Sequence, residues 1–257
     1  MNKKIASWNV NSIKARLPVV LQWLDNVKPD ILFMQELKGT DDNFPVAEFE
    51  NRGYTVSING QKTYNGVAIA SKSPIETVAK TLNGDDTDEQ ARYLEVIIDG
   101  IRMINIYAPN GNHVDSEKFP YKLKWTDRLT ARCRELLDND EAFLIGGDFN
   151  IIPKDEDCFD PKSWEGDALF RRESIDKWRT LQNLGLYDAL RMTHPQGGNF
   201  YTFWDYQAGC WPQNKGIRID HFLLSPRMAD RLKNCTIDRD PRGWDKASDH
   251  TPIIIEV

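Results

Sequence analysis

Long apolar runs are missing from this 257-residue chain. None approaches the ~20 consecutive apolar residues that a membrane-spanning helix needs. The stretch MNKKIASWNV enters a strand-like pattern directly and has no apolar signal-peptide core. Paired cysteines are missing too. Cys133, Cys158, Cys210 and Cys235 lie far apart and no CxxC spacing occurs, which argues against a zinc knuckle or a disulfide framework. A reduced, cytoplasmic setting is the expectation. Neither a GxGxxG turn nor a GxxxxGK[ST] phosphate loop is present, so an open doubly wound nucleotide-binding sheet is only the second choice of fold. An excess of basic charge is also absent. The formal net charge is −6, which on its face disfavours a nucleic-acid partner. Binding uses a patch rather than a sum, however, and Lys14 with Arg16, Lys118 with Lys122 and Lys124, and Arg171 with Arg172 leave a local basic surface open.

What the chain does have is strand pattern from end to end. Val/Ile/Leu-rich runs occur at Ile5–Val10, Asp30–Gln35, Tyr54–Ile58, Gly66–Ser71, Tyr93–Ile98, Arg102–Tyr107, Ala142–Gly146, His221–Leu224 and Thr251–Val257. Asp99-Gly100 between two of them is a hairpin signal. Three helical stripes fall between strands: Leu17, Val20, Leu21 and Leu24; Trp125, Leu129, Cys133 and Leu136; Ile175, Trp178, Leu181 and Leu184. Their tryptophans read as core. The cluster Asn83–Gln90 reads as a solvated loop, and no linker interrupts the chain. The expectation is an α/β fold in one domain, residues 1–257, with two β-sheets packed face to face and helices outside.

The polar residues at strand ends carry the chemistry. AFLIGGDFNII halts an apolar run on two glycines and then sets Asp148 and Asn150 two apart, which on a strand is one face. The same residues are ordinary turn formers, so this stretch alone supports a turn and a site equally. Asn9 and Asn11 repeat the spacing in SWNVN. Glu36 closes the second strand, Tyr107 and Asn110 close IRMINIYAPN, Asp220 lies in GIRIDHF, and Asp249 and His250 precede the last strand. Glu36 is an oxygen ligand suited to Mg²⁺, which is held by one or two carboxylates beside substrate phosphate. A carboxylate such as Asp220 can orient His250. Asn9 and Asn150 can donate to phosphate oxygens without adding charge, and Tyr107 can donate its O–H or, if ionised, act as a base. Together these residues point to metal-assisted phosphodiester hydrolysis.

SWNVNSIKA, LFMQE, IYAPNGN, GGDFNIIP, YTFWDY, GIRIDHFLLS and SDHTPI occur in the order of the exonuclease III branch of the endonuclease/exonuclease/phosphatase superfamily, and the chain resembles that branch over nearly its whole length. The resemblance implies a four-layered α/β sandwich, two packed mixed β-sheets flanked by helices. It implies a Mg²⁺ ligand at Glu36, with Asn11 and Asp249 in the metal region and Mn²⁺ as an alternative ion. It implies an Asp220–His250 pair, Asp148 on the attacking water, Asn9 and Asn150 on the scissile phosphate, Tyr107 on the transition state, and Asn110 beside phosphate or sugar. Phe203, Trp204 and Ile219 match positions that line a pocket for a flipped-out abasic deoxyribose, with Ile217 where some relatives carry tryptophan. The implied activity is hydrolysis 5′ to abasic sites in duplex DNA, with 3′–5′ exonuclease and 3′-end cleaning, by a monomer that needs no membrane. Lys122, Lys124 and the loop Arg239–Lys246 are candidates for backbone phosphates, and Trp244 for a wedge in the duplex groove. Rival readings are a lipid or inositol phosphodiesterase, disfavoured by the Tyr107 block, and a non-catalytic DNA-binding module, disfavoured by the completeness of the polar set.

Overall fold

The structure, a computed structural model, describes residues 3–257. Among them, two six-stranded sheets form. The first holds β1 (Lys4–Asn9), β2 (Ile31–Gln35), β3 (Thr55–Asn59), β4 (Val67–Ser71), β11 (Asn234–Ile237) and β12 (Ile253–Glu256), in the order β11-β12-β1-β2-β4-β3. The second holds β5 (Glu76–Ala79), β6 (Tyr93–Ile98), β7 (Ile101–Tyr107), β8 (Phe143–Asp148), β9 (Tyr187–Asp188) and β10 (Asp220–Leu224), in the order β5-β6-β7-β8-β10-β9. Each sheet is mixed and contains a single parallel pair, β1 with β2 and β7 with β8. The open single sheet weighed as an alternative is therefore excluded.

The apolar runs are continuous because both faces of the central strands are covered. Ile5, Ile31, Phe33, Val67 and Ile69 of one sheet meet Leu94, Val96, Met103, Leu144, Phe222 and Leu224 of the other. The alternate residues face outward. Ala6, Trp8, Leu32 and Met34 pack under α1 (Ile13–Val27), and Ile104, Ile106, Phe143 and Ile145 pack under α3 (Lys118–Asp138) and α4 (Arg172–Asn183). Trp125 and Trp178 are buried there, as their stripes predict. Short helices α2 (Val46–Glu50), α5 (Ala189–Thr193) and α6 (Pro226–Ala229) fill connections.

Asp99 and Gly100 join β6 to β7 with φ of 51° and 74°, the left-handed pair that a two-residue hairpin requires. β5, β9 and β11 are not foreseen in the sequence. β9 has only two residues and β5 is largely exposed. All three lie at sheet edges, where burial on one side at most leaves a weak apolar signal.

Candidate active site

Strand alternation decides which side chains enter the cleft. Ile5, Ser7 and Asn9 share the inner face of β1, as do Met103, Asn105 and Tyr107 on β7, Leu144, Gly146 and Asp148 on β8, and Asp220, Phe222 and Leu224 on β10. The registers Tyr107–Asp148 and Asp148–Asp220 place three polar residues in one row across the rim of the second sheet. Asn9 and Glu36 stand opposite, at the rim of the first. Gly146 leaves room on the inner face for the ring of its cross-strand neighbour Phe222, which a Cβ would meet at 2.3 Å, and for Phe33 of the other sheet, which it would meet at 3.0 Å.

Asp148 is the centre of the site. Its Oδ2 accepts from Asn9 Nδ2 (3.0 Å) and lies 3.8 Å from His250 Nε2. The other His250 nitrogen, Nδ1, is 2.8 Å from Asp220 Oδ2. Backbone amides of Ile219 and Asp220 both donate to Thr202 Oγ1 at 3.1 Å, which fixes the start of β10. Asn9 Nδ2 also donates to Glu36 Oε1 (2.9 Å), so one amide bridges a carboxylate from each sheet rim. This corrects the expectation that Asn9 is free to hold phosphate: both of its N–H groups are used by carboxylates.

The spacing of Asp148 and Asn150 has a different origin from the one expected. β8 ends at Asp148, and Asn150 follows in the left-handed region with φ 51°. Its backbone N–H donates to Asp148 Oδ1 (2.9 Å), an Asx turn. The stretch is thus a turn and part of the site at once. Asn9 and Asn11 repeat the device: Asn11, φ 44°, donates its N–H to Asn9 Oδ1 (3.0 Å). Asn150 Nδ2 is held by the Ala108 carbonyl (2.9 Å), and its Oδ1 accepts from Asn110 Nδ2 (3.1 Å).

Burial, and then Asp220, pushes the Asp148 carboxyl up to about 7, against the pull of His250. Burial alone would lower His250, but Asp220, Asp148 and Asp249 together raise it to about 10, so the imidazole is cationic at neutral pH. Tyr107 is raised well above its ordinary value by burial and by the Glu36 and Asp148 charges. The shift favours the neutral O–H form over an ionised tyrosine base. Glu36 is pulled below the usual carboxylate range, because Lys38, Asn9 and His250 outweigh the effect of burial.

The donor set fits a hard divalent cation. One oxygen each of Glu36 and Asp148 lies within 4.8 Å of the other and of a His250 ring nitrogen, and the two carboxylates are the donors, since the cationic imidazole has no lone pair to offer. Asp220 Oδ1 is buried with no hydrogen-bond partner. The Lys38 ammonium is paired with Glu36 Oε2 at 2.9 Å. Oxygen donors of this kind suit Mg²⁺ or Mn²⁺ rather than zinc. Asn11 and Asp249 form their own pair, Nδ2 to Oδ1 at 3.0 Å, and Asn11 connects to Glu36 through Lys38 and, by its backbone N–H, through Asn9.

Residues expected around the cleft divide sharply. Phe203 is half-buried, stands edge-on to the His250 ring at 5.0 Å, and with Ile217 and Trp164 lines an open pocket of about 460 Å³. Trp204 and Ile219 do not line it. Trp204 is fully buried between Tyr201 and Trp211, its indole N–H on Asn214, and Ile219 packs into the core beside Ile152. Trp244 is half-buried against the core under the first sheet, not standing free as a wedge. Arg242 in the same loop is buried and donates to the Trp204 carbonyl, whereas Lys246 is exposed. Lys124 is exposed as expected, but Lys122 is only 1% exposed and reaches no solvent phosphate.

Three contributors carry no sequence signal that singles them out: Lys38, Thr202 and Ser248. Ser248 Oγ donates to the Asn9 carbonyl (2.7 Å) and accepts from the His250 N–H (3.2 Å), tying the histidine loop to β1. Lysine, serine and threonine are too common on surfaces for position alone to mark them.

Comparison with known proteins accords with this geometry. The sequence profile of the endonuclease/exonuclease/phosphatase family matches residues 6–250. An exodeoxyribonuclease III from Haemophilus influenzae is 33% identical over 264 residues, covering 98% of this chain and 99% of that protein. A 3′ phosphatase from Neisseria, solved with a product DNA hairpin, superposes with a TM-score of 0.95 at 41% identity and 98% coverage of both chains. An AP endonuclease from Archaeoglobus fulgidus superposes with a TM-score of 0.94 at 39% identity, again over 98% of each chain. Full-length agreement in both sequence and fold means that this chain belongs to the endonuclease/exonuclease/phosphatase family.

Proposed function

We propose that this protein is a DNA-repair nuclease of exonuclease III type, acting as a single-domain monomer. Its reaction is hydrolysis of the phosphodiester 5′ to an abasic site in duplex DNA, accompanied by 3′–5′ exonuclease and 3′-end cleaning. The observation that carries this reading is the convergence of Glu36, Asp148 and His250, with His250 Nε2 3.8 Å from Asp148, whose carboxyl burial holds well above the usual carboxylate range. A group poised near the working pH is suited to take a proton from water. The neighbouring imidazolium is suited to stabilise charge on a phosphoryl oxygen. Asp148 is therefore the general base, and His250, oriented by Asp220, is the electrostatic partner.

Glu36 would hold the divalent cation, with Asp148 beside it. When bound, Mg²⁺ supplies charge neutralisation for the phosphate and for the departing 3′ oxygen. Tyr107, kept neutral, donates its O–H to the phosphate. Asn150 and Asn110 present amide N–H groups beside it, and Asn9 holds the two carboxylates apart. Mn²⁺ is the expected substitute ion. Contacts to DNA are mostly to backbone, with Lys14, Lys124 and Lys246 exposed for them. Among the described residues no helix is long and apolar enough to cross a membrane. The expected setting is the cytoplasm.

A second reading makes 3′-end processing the principal activity. Phe203 alone of the three expected residues lines the pocket, which weakens the case for a tight abasic-sugar slot. Neisseria provides a 41% identical relative that is a 3′ phosphatase. The deciding experiment offers three duplexes, one with a single abasic analogue, one with a 3′ phosphate and one intact, each with Mg²⁺ and with EDTA. Mg²⁺-dependent nicking 5′ to the lesion establishes the first reading. Phosphate release without nicking establishes the second. No cleavage of any duplex would overturn both.

A further inference from the structure

Lys122 lies on the buried face of α3, while its neighbours Lys118 and Lys124 are exposed. Its stem passes directly over Gly111. A Cβ at that glycine would stand 2.7 Å from Lys122 Cδ, and Gly111 itself has φ 91°. The Nζ donates to two backbone carbonyls, those of Asn110 (3.0 Å) and Asn150. These carbonyls belong to the loops that follow β7 and β8, the parallel pair of the second sheet. The side chains of the same two asparagines also meet, Asn110 Nδ2 to Asn150 Oδ1 at 3.1 Å.

Burying an amino group without a hydrogen-bonded carboxylate is costly, and a leucine of similar volume would fill the space at less expense to stability. What a leucine cannot do is join two carbonyls from different loops. An amine does so whether or not it carries charge, since even the neutral form has two N–H donors. We infer that Lys122 is a positioning residue for the hydrolysis. It ties the two loops at one point behind the cleft, and so sets the separation at which the Asn110 and Asn150 amides meet the phosphate. This inference rests on the reading that those amides face the scissile phosphate.

The test compares Lys122→Met, Lys122→Arg, Asn150→Ala and the double variant Lys122→Met/Asn150→Ala with the wild type. kcat, KM and Tm are measured at saturating Mg²⁺ on whichever duplex the wild type cleaves. Asn150→Ala should lower kcat about 100-fold as a lost transition-state donor. Lys122→Met should lower kcat about 10- to 100-fold through misplacement, with KM changed less than about threefold, and Lys122→Arg should recover most of it. Because the lysine acts through the asparagine, adding Lys122→Met to Asn150→Ala should cost less than about threefold more. Equal losses in the two backgrounds would mean that Lys122 acts independently, and an undiminished kcat in Lys122→Met would overturn the inference outright. If Lys122→Met fails to fold, Lys122→Gln takes its place. Failure of both to fold would assign the residue to stability alone. A fully active Asn150→Ala would instead overturn the underlying reading of the phosphate site.

Discussion

Asp148 and His250 face one another across 3.8 Å, carboxylate to imidazole, with Asp220 holding the far side of the ring at 2.8 Å. Burial and the Asp220 charge make the aspartate hard to ionise, against the sense of an ordinary ion pair, whereas the histidine is hard to deprotonate, as it would be in one.

The first expectation is a pH profile. The active form carries ionised Asp148 and protonated His250. kcat/KM should therefore rise with pH as Asp148 ionises, with its midpoint below about 7 when Mg²⁺ is bound, and fall only as His250 deprotonates near 10. At fixed pH below 7, raising Mg²⁺ should increase activity, because a cation beside Asp148 favours its ionised form. A rate independent of pH between 5 and 8 at constant Mg²⁺ would remove Asp148 from the role of base.

Metal dependence isolates Glu36. Glu36→Gln keeps the shape and the bond from Asn9 but loses the charge. It should be nearly inactive at low Mg²⁺ and partly restored at high Mg²⁺, read from a Mg²⁺ titration of cleavage. An unchanged half-saturation would take Glu36 out of the ligand set.

Phe203 and Trp204, adjacent in sequence, should separate completely. Phe203→Ala opens the pocket wall and should alter KM and the ratio of abasic incision to 3′-end release, with a small change in Tm. Trp204→Ala empties a buried site and should cost about 3–5 kcal/mol of stability, measured by urea unfolding. Equal effects on stability would mean that Phe203 is core as well.

Stability against pH tests Lys122. Burial lowers its pKa to about 7, whereas in the unfolded chain it stays protonated to about 10.5. Between those values the unfolded state binds more protons, so this lysine makes stability rise with pH. His250 works in the opposite sense. Its folded pKa near 10 exceeds the unfolded 6.5, so its contribution is complete below 6.5 and is lost as pH rises through 10. Lys122→Met should remove the rising component, and the Tm difference between the wild type and the variant should change steadily from pH 7 to pH 10 in the metal-free protein. A difference that stays constant with pH would contradict a depressed lysine.

The sequence conveys the layers well, because strands covered on both faces must be continuously apolar and the three long helices must be striped. It conveys the site through polar residues at the ends of such strands. Asn9, Glu36, Asp148, Asp220 and His250 converge as their positions predict. Roles are less legible than positions. Asn9 is a bridge between carboxylates because its partner is 139 residues away, a distance that no local pattern encodes. Lys122 looks like a surface cation because a single inward-facing lysine leaves the helix stripe intact. Trp204 and Phe203 sit side by side in YTFWDY, and only the tertiary fold decides which one faces the pocket.

The paired Asx turns have one more consequence. Each sheet supplies one carboxyl or amide tip at Asn9-Val10-Asn11 or Asp148-Phe149-Asn150, and neither tip cuts anything alone. The Trp8 indole meets the His250 carbonyl at 3.1 Å, joining residues 242 positions apart. A nascent chain with the first sheet half built, or with its last strand still in the ribosome, holds fragments of the machinery but no cleft. Catalytic geometry here is thus a property of the closed pair of sheets and forms together with the tertiary fold.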